Sequence, residues 1–401
     1  MRVLGHRASR TQLRRRFALM FARIIPVRLM PRRVTSLHRT LDRIVGTPLI
    51  AAFALAPKRR YPDPATIRRI GVLKTAAIGD TLLLSGMLPA LRDRFCNAAI
   101  VLITGVDNAA AAPLLGDTID EHVVISPSAP WMALRAIRDL RLDVVLECGP
   151  WPRFDALLAA LSGARYRVGF RVKGHARHFG FDHVVDHLST VHQFENLHNL
   201  AAAIGVTGFR APALNAPGVL TGARLPTERF AVFHPWSGGY MGHVKEWPET
   251  RWVELACALR ERHELRILIG GGSIDITRAA RLAGLVERAG CAATSIAGNY
   301  SLVELADVLA ASQLVISVNT GVMHLAALIG AATISLEGPV AVHRWRPIGP
   351  RARSVVTTLP GGGYLDLGFE YGGQRLDCMT GVAVNAVIAA ADELLVASPS
   401  A

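Results

Sequence analysis

Residues 313–339 read QLVISVNTGVMHLAALIGAATISLEGP. The apolar and β-branched run 314–318 is too short for a helix and suits a buried strand. Asn319-Thr320-Gly321 then supplies turn and N-cap residues, and 322–329 continues as a short apolar helix. Gly330 stops that helix, and 332–336 reads as the next strand. A strand, a polar turn and a helix N-terminus make a ready anion site, because the first-turn amides have no partner inside the helix. One more βαβ unit of an α/β protein would need nothing further. The polar set Asn319, Thr320 and His324, gathered where the strand ends, gives the unit a functional reading as well.

The same alternation extends outward. A strand at 230–233, helix at 250–262, strand at 265–269, helix at 275–289, strand near 294–296 and helix at 302–310 lead into it. Earlier, the body begins near Pro64 with a strand at 70–74, then Thr75-Ala76-Ala77-Ile78-Gly79-Asp80 and a helix from 81 to about 95. A strand at 99–104, a helical stretch at 131–140, a strand at 142–147, β-like runs at 166–170 and 183–185, and a helix at 194–204 follow. Strands separated by helices argue parallel sheets covered on both faces. The Gly-, Pro- and Ala-rich passage 205–226 reads as a linker. The expected class is α/β: two Rossmann-like, doubly wound domains over 67–215 and 216–401, with a ligand cleft between the carboxyl ends of their strands. Residues 1–66 form a basic extension ahead of them.

A length of 401 residues favours two domains over one, and 51% hydrophobic residues suffice for full cores. Residues 1–60 hold fifteen Lys and Arg against one acid, Asp42, which is the whole net charge of +14. The other 341 residues balance 30 basic against 30 acidic side chains. Arginines interleaved with Phe17, Leu19, Phe21, Ile24, Ile25 and Leu29 suit a helix lying on an anionic membrane face. The apolar run 44–56 is short of the ~20 residues that cross a bilayer. Arg14-Arg15-Arg16-Phe17 offers a twin-arginine signal as a rival, but Arg23, Arg28, Arg32 and Arg33 interrupt any apolar core behind it. Nucleic-acid binding and plain disorder are open to any Arg-rich arm. We take the membrane surface as its partner, with no nucleic acid. Five scattered cysteines without CxxC spacing suggest neither a disulfide framework nor a zinc site and fit a reducing cytosol.

Asp80 follows Gly79 directly after the first strand, where such sheets bind ligands. It reads either as an N-cap or as a cleft carboxylate able to take a proton from an attacking hydroxyl. His234-Pro235-Trp236-Ser237-Gly238-Gly239 leaves a strand into a loop ending in Lys245-Glu246-Trp247-Pro248, a Gly-rich phosphate cradle that matches no P-loop. Gly270-Gly271-Gly272-Ser273 also follows a strand, and Asp275 either grips ribose hydroxyls or caps its helix. It is not the GxGxxG fingerprint of a nicotinamide enzyme. The cluster Arg165, Arg167, Arg171, Lys173 and Arg177 is a solvated loop or a dock for an anionic substrate. None of the fourteen histidines is read as part of a metal site.

Taken in order, these motifs resemble glycosyltransferase family 9, the lipopolysaccharide heptosyltransferases. The resemblance covers roughly 68–396. It rests on Ile78-Gly79-Asp80, Arg167-Val168-Gly169-Phe170, His234-Pro235 with Lys245-Glu246-Trp247-Pro248, Gly271-Gly272 with Asp275, Asn319-Thr320-Gly321-Val322-Met323-His324-Leu325-Ala326, Glu337-Gly338-Pro339 and Cys378-Met379.

The resemblance implies a GT-B fold and an inverting, metal-independent glycosyltransferase without cofactor. It would move a sugar, heptose from ADP-heptose, onto a lipopolysaccharide-core or related anionic lipid-linked glycan, as a peripheral protein on the cytoplasmic side of the inner membrane. By that analogy Asp80 is the general base. Ser237 and Lys245 hold the diphosphate, Asp275 lies near the adenosine ribose, and Asn319, Thr320, Gly321 and His324 complete the donor site. Arg167, Arg171 and Lys173 face the acceptor. The family usually has Asp-Thr-Gly where this chain has Asn319-Thr320-Gly321. An amide can hydrogen-bond a sugar or phosphate but carries no charge and cannot act as a base. That departure bears on the donor sugar and leaves Asp80 as the base. It also motivates an alternative, a degenerate member that binds nucleotide or glycan without turnover. A sugar-nucleotide epimerase requiring NAD is a further reading, opposed by the missing dinucleotide fingerprint.

Overall fold

The computed structural model describes residues 40, 42–220, 225–239, 241–367, 370, 372 and 374–396. Most of the basic segment expected on a membrane lies outside the described residues. The part that is described does not stand apart from the body. Helix α1 (Gly46–Ala51) buries Ile50 completely, and a Cβ on Gly180 would fall 2.8 Å from its side chain. Asp42 accepts from the Phe154 amide at 2.9 Å and pairs with Arg153 at 3.2 Å. Lys58 donates to the carbonyls of Phe179 and Phe181, and Tyr61 to that of Ile204. A body starting near Pro64 is therefore corrected: residues 42–61 pack on the first domain, because its helix ends and apolar face need their caps and cover.

Six parallel strands make the first sheet: β1 (Arg69–Lys74), β2 (Ala99–Gly105), β3 (Glu121–Ile125), β4 (Val144–Glu147), β5 (Tyr166–Arg171) and β6 (His183–Asp186), in the order β3-β2-β1-β4-β5-β6. Between them run α2 (Ile78–Leu83), α3 (Leu88–Arg94), α4 (Pro130–Asp139) and α5 (Arg153–Leu161), and α6 (Gln193–Ala202) follows β6. The second sheet holds β7 (Phe230–His234), β8 (Arg266–Ile269), β9 (Ala293–Ser295), β10 (Leu314–Val318), β11 (Thr333–Glu337) and β12 (Ala352–Val356), in the order β12-β11-β10-β7-β8-β9. Its helices are α7 (Glu249–His263), α8 (Ile276–Arg288), α9 (Leu302–Ala311), α10 (Gly321–Leu328), α11 (Val342–Trp345) and α12 (Val384–Val396). Both sheets have the same doubly wound order, with the reversal between β1 and β4 in one and β7 and β10 in the other.

Departures from the sequence reading have local causes. The single helix expected from 81 to 95 is two pieces, α2 and α3, joined by a 3₁₀ turn at Leu84–Gly86. Pro89 in the first turn of α3 donates no backbone hydrogen bond, so the ladder cannot run through. The unexpected strands β3 and β12 are edge strands with half-exposed residues, which lack the apolar run that marks a buried strand. The linker carries no regular element over 206–220. It is held instead by Asp307 of α9, which accepts from the amides of Gly218, Val219 and Leu220 at 2.6–2.9 Å.

Candidate active site

Ligands of doubly wound sheets bind beyond the carboxyl ends of the strands where the order reverses. Here the two reversal points are brought against each other by α2 and α10. A Cβ on Gly79 would fall 2.7 Å from the His324 ring, and one on Gly321 would fall 2.9 Å from Ile78 Cβ. The first turns of both helices touch, and only glycine at both positions allows that approach.

Asp80 lies in the first turn of α2 but does not cap it. The N-cap is Ala77, in left-handed backbone at φ 69°. A non-glycine residue there costs on the order of 1 kcal/mol. The loop is stapled by fully buried Asn108, whose amide donates to Lys74 O and Thr81 Oγ and accepts from Gly105 N. Asp80 instead meets Lys74 at 3.0 Å, with side chains only 5% (Lys74) and 15% (Asp80) exposed. The N-cap reading is thereby removed, and one carboxylate oxygen is fixed by a neighbouring ammonium.

Across the cleft, Lys245 closes the 3₁₀ turn Gly242–Lys245. Burial lowers its pKa, while the charges of Glu337 and Asp80 raise it. Glu337 ends β11 and is completely buried, which pushes its carboxyl up to about 7. It accepts from Ser335 Oγ at 2.6 Å and from Asn319 Nδ2 at 3.1 and 3.2 Å. His324, on the first turn of α10, is buried and held at about 4 by desolvation and by Lys245, so it is neutral near pH 7. Its Nδ1 has no partner among the described residues. Thr320 caps α10, its Oγ accepting from Met323 N at 3.3 Å.

Several expected roles change. Asn319 is 8% exposed, and its amide nitrogen is committed to Glu337 and to Trp345 O at 3.0 Å. Asn319 was expected to contact the donor, but here both neighbours of its nitrogen are acceptors that claim its hydrogens. Asp275 accepts from Gly272 N at 2.9 Å with one oxygen, closing the capping box of the 3₁₀ turn Ser273–Asp275, while the other lies 3.9 Å from Arg278; its side chain makes no cap bond to α8. Ser237 makes a 3.3 Å contact to Gly238 O in a loop closed tightly on Gly242.

The basic cluster does not act as a unit. Arg167, expected at the acceptor, is 5% exposed and forks onto Asp182 at 2.7 and 2.8 Å while donating to Ala160 O. That assignment is corrected: its donors are spent inside the fold. Arg177 is fully buried against Glu147 and Gly149 O. Arg165 lies at the opposite, amino end of the sheet, beside Arg59, Arg138 and Arg141 in a cavity of about 640 Å³. Arg171, half-exposed and 3.3 Å from Asp186, and exposed Lys173 remain on the mouth side.

Sequence reasoning missed Lys74, Glu147, Glu337 and Arg344. Arg344 is fully buried and joins the domains: it pairs with Asp366 at 2.8 Å and donates to Leu188 O and Val191 O. His343 and His192 add contacts to Ser189 O and Arg346 O. A charged residue at a strand end signals a mouth position only once the strand order is known. Among the described residues no group of three or more His, Cys, Asp or Glu could hold a metal ion.

The description of glycosyltransferase family 9 (heptosyltransferase) matches residues 155–361, just over half of the chain. The chain belongs to glycosyltransferase family 9. Lipopolysaccharide heptosyltransferase 1 of Pseudomonas aeruginosa is 39% identical to it over 96 residues, 24% of this chain and 26% of that relative. The match thus spans about a quarter of that family member's length. Among solved structures, E. coli ADP-heptose lps heptosyltransferase II superposes with a TM-score of 0.64 at 20% identity, covering 82% of this chain and 98% of that one. The E. coli heptosyltransferase WaaC with ADP gives 0.63 at 21%, covering 81% and 99%. A family 9 protein from Veillonella parvula gives 0.68 at 18%, covering 85% and 100%. At such identities the likeness establishes the fold, which is GT-B.

Proposed function

We propose that this family 9 member is an inverting, metal-independent glycosyltransferase that moves heptose from ADP-heptose to a hydroxyl of a lipopolysaccharide-core or related lipid-linked glycan. The observation that carries this reading is the meeting of Asp80 from one domain with Lys245 and the α10 N-terminus from the other. Asp80 takes the proton of the acceptor hydroxyl as its oxygen bonds to the anomeric carbon. The bond from that carbon to the β-phosphate oxygen breaks on the opposite face, and ADP leaves. Lys245 and the first-turn amides of α10 offset the charge growing on the diphosphate, a task that needs fixed positive groups in a dry site. Thr320 and His324 border that position, Ser237 closes the loop over it, and Asp275 stands at the ribose end. Arg171 and Lys173 offer charge to an anionic acceptor. The titration of the purified protein with ADP and UDP tests the donor site. ADP binds without added metal, and Lys245→Ala weakens it by at least ~10-fold, as loss of a charge-assisted contact of about 1.5–3 kcal/mol requires. A preference for UDP would remove the ADP-sugar assignment.

The protein is placed by this reading at the cytoplasmic face of the inner membrane. The charge of residues 1–60 supports it, as do Ile44, Val45, Leu49 and Leu55, exposed by 67, 46, 52 and 94%. No helix among the described residues is long and apolar enough to cross a membrane.

A further inference from the structure

Helices α4 and α5 end beside each other at the amino end of the first sheet, and the hollow between their carboxyl ends holds more positive charge than the fold uses. Its volume of about 640 Å³ lies within the ~300–1,000 Å³ of ligand sites. Arg59, Arg138, Arg141 and Arg165 line it, with Asp143 as the acid among its lining residues. Capping explains part of the set. Arg138 Nε donates to Leu161 O at 2.8 Å, and Arg59 donates to Ala164 O just beyond α5. Asp143 is already spent, one oxygen on the amides of Arg68 and Arg69 and the other on Arg165 at 3.2 Å. A helix end carries about −0.5 charge, so the two ends and Asp143 offset roughly two of the four positive charges. The rest stands unbalanced, and most of the guanidinium N–H groups have nothing to donate to.

Arg141 is the residue that capping leaves unexplained. It follows the last turn of α4 in left-handed backbone at φ 48°, a place that favours glycine. Gly163, which also lines the hollow, fills the matching place after α5 at φ 80°. The arginine is strained there, and its guanidinium makes no hydrogen bond or ion pair among the described residues.

We infer that this hollow is a binding site for a phosphate group, held by the guanidinium forks of Arg59, Arg138, Arg141 and Arg165. A planar fork meets two phosphate oxygens at once, and a phosphate ester brings the negative charge that the hollow lacks. The phosphate belongs either to the headgroup of an anionic membrane lipid or to a soluble compound. Leu55, 94% exposed, precedes Arg59 by four residues and so lies at most about 14 Å from it. A bilayer surface that takes up Leu55 therefore brings headgroup phosphates within reach of Arg59. The lipid source rests on the reading of the protein as membrane-bound, whereas the site itself does not.

Phenylglyoxal labelling of the whole protein, read by mass spectrometry, reports the reactivity of each arginine. We expect inorganic phosphate, matched in ionic strength with chloride, to slow labelling of Arg141 and Arg165 and to leave exposed Arg281 of α8 unchanged. Arg141→Gly suits the left-handed backbone, so its thermal midpoint equals or exceeds that of wild type. Phosphate affinity read at Arg165 nevertheless falls by ~10-fold or more in that variant, as loss of a charge-assisted contact requires. Phosphatidylglycerol vesicles in phosphate-free buffer form the second arm. Protection of the same arginines by vesicles, lost in Arg141→Gly, assigns the phosphate to a lipid headgroup. Protection by inorganic phosphate alone keeps the site, assigns it to a soluble compound and counts against a membrane on this face. If neither probe slows labelling of Arg141, or if Arg165 is protected equally in Arg141→Gly and wild type, the inference is overturned. Co-sedimentation with the vesicles then judges the membrane reading separately.

Discussion

Asp80 has one carboxylate oxygen held by Lys74 at 3.0 Å, so the carboxylate enters the cleft in a fixed orientation. If it is the base, Asp80→Asn leaves ADP affinity near wild type and lowers kcat for sugar transfer by about 10²–10⁴-fold, the usual worth of a positioned base. Steady-state rates and ADP titration on one preparation separate the two effects, and a loss confined to ADP affinity would argue against the role. The buried histidines give a second prediction. Burial holds His234 and His324 at about 4, against an ordinary 6.5. Unfolded imidazoles take up protons near 6.5 that the folded ones refuse, so these residues cost nothing at higher pH and destabilise the fold as pH falls from 6.5 towards 4. Glu147 and Glu337, pushed up to about 7, act in the opposite sense, since their burial penalty is relieved as pH falls from 7 towards 4.5. His234→Gln should therefore lose less thermal stability than wild type between pH 7 and 5, measured as the midpoint at each pH. An unchanged slope would show that His234 is protonated in the folded protein.

Helices α2 and α10 meet through Gly79 and Gly321, and the space there is already full. Gly321→Ala forces the two first turns apart. We expect it to cost about 1–3 kcal/mol in urea unfolding, as overpacking does, and to weaken ADP binding at the same time. Gly284→Ala, inside α8, is the control. Its Cβ would meet nothing nearer than Arg288 Nη1 at 3.4 Å, and it gains up to about 1 kcal/mol from helix propensity alone. Equal effects of the two substitutions would mean that the α2–α10 contact carries no strain. The helices and central strands here were legible as elements: 314–318 was expected as a strand and is one, and Thr320 caps the next helix as its side chain suggested. Of the four edge strands, β6 and β9 were expected, but β3 and β12 were not, because β3 alternates and β12 exposes much of its length, and neither shows the continuous apolar run that marked the central strands.

Over the whole molecule the charge is divided: the +14 belongs to residues 1–60, and the remainder is balanced. The protein should co-sediment with phosphatidylglycerol vesicles at low salt and be released as salt screens the interaction, since each basic group near such a surface is worth about 1 kcal/mol. Leu49→Asp with Leu55→Asp should weaken sedimentation further without altering ADP affinity. Equal binding to neutral phosphatidylcholine vesicles would refute the electrostatic reading. The joint between the domains is equally a property of the whole: buried Arg344 ties the loop at 188–191 to α11 and Asp366.

Periodicity and turn residues determined by themselves that this is a two-sheet α/β protein and marked Asp80, Lys245 and the Thr320 cap as mouth residues, while the order of the motifs carried the resemblance to glycosyltransferase family 9. Those signals are local: each depends on neighbours a few positions away along the chain. What the tertiary structure decided are the partnerships. Arg167 and Arg177 read like Arg171 in sequence, yet the fold spends the first two on Asp182 and Glu147 and leaves the third half-exposed. Asn319 read as a lost carboxylate until strand pairing set β11 beside β10 and put Glu337 against it. Burial and charge pairing arise between residues distant in sequence, and spacing along one chain does not encode which of them will meet.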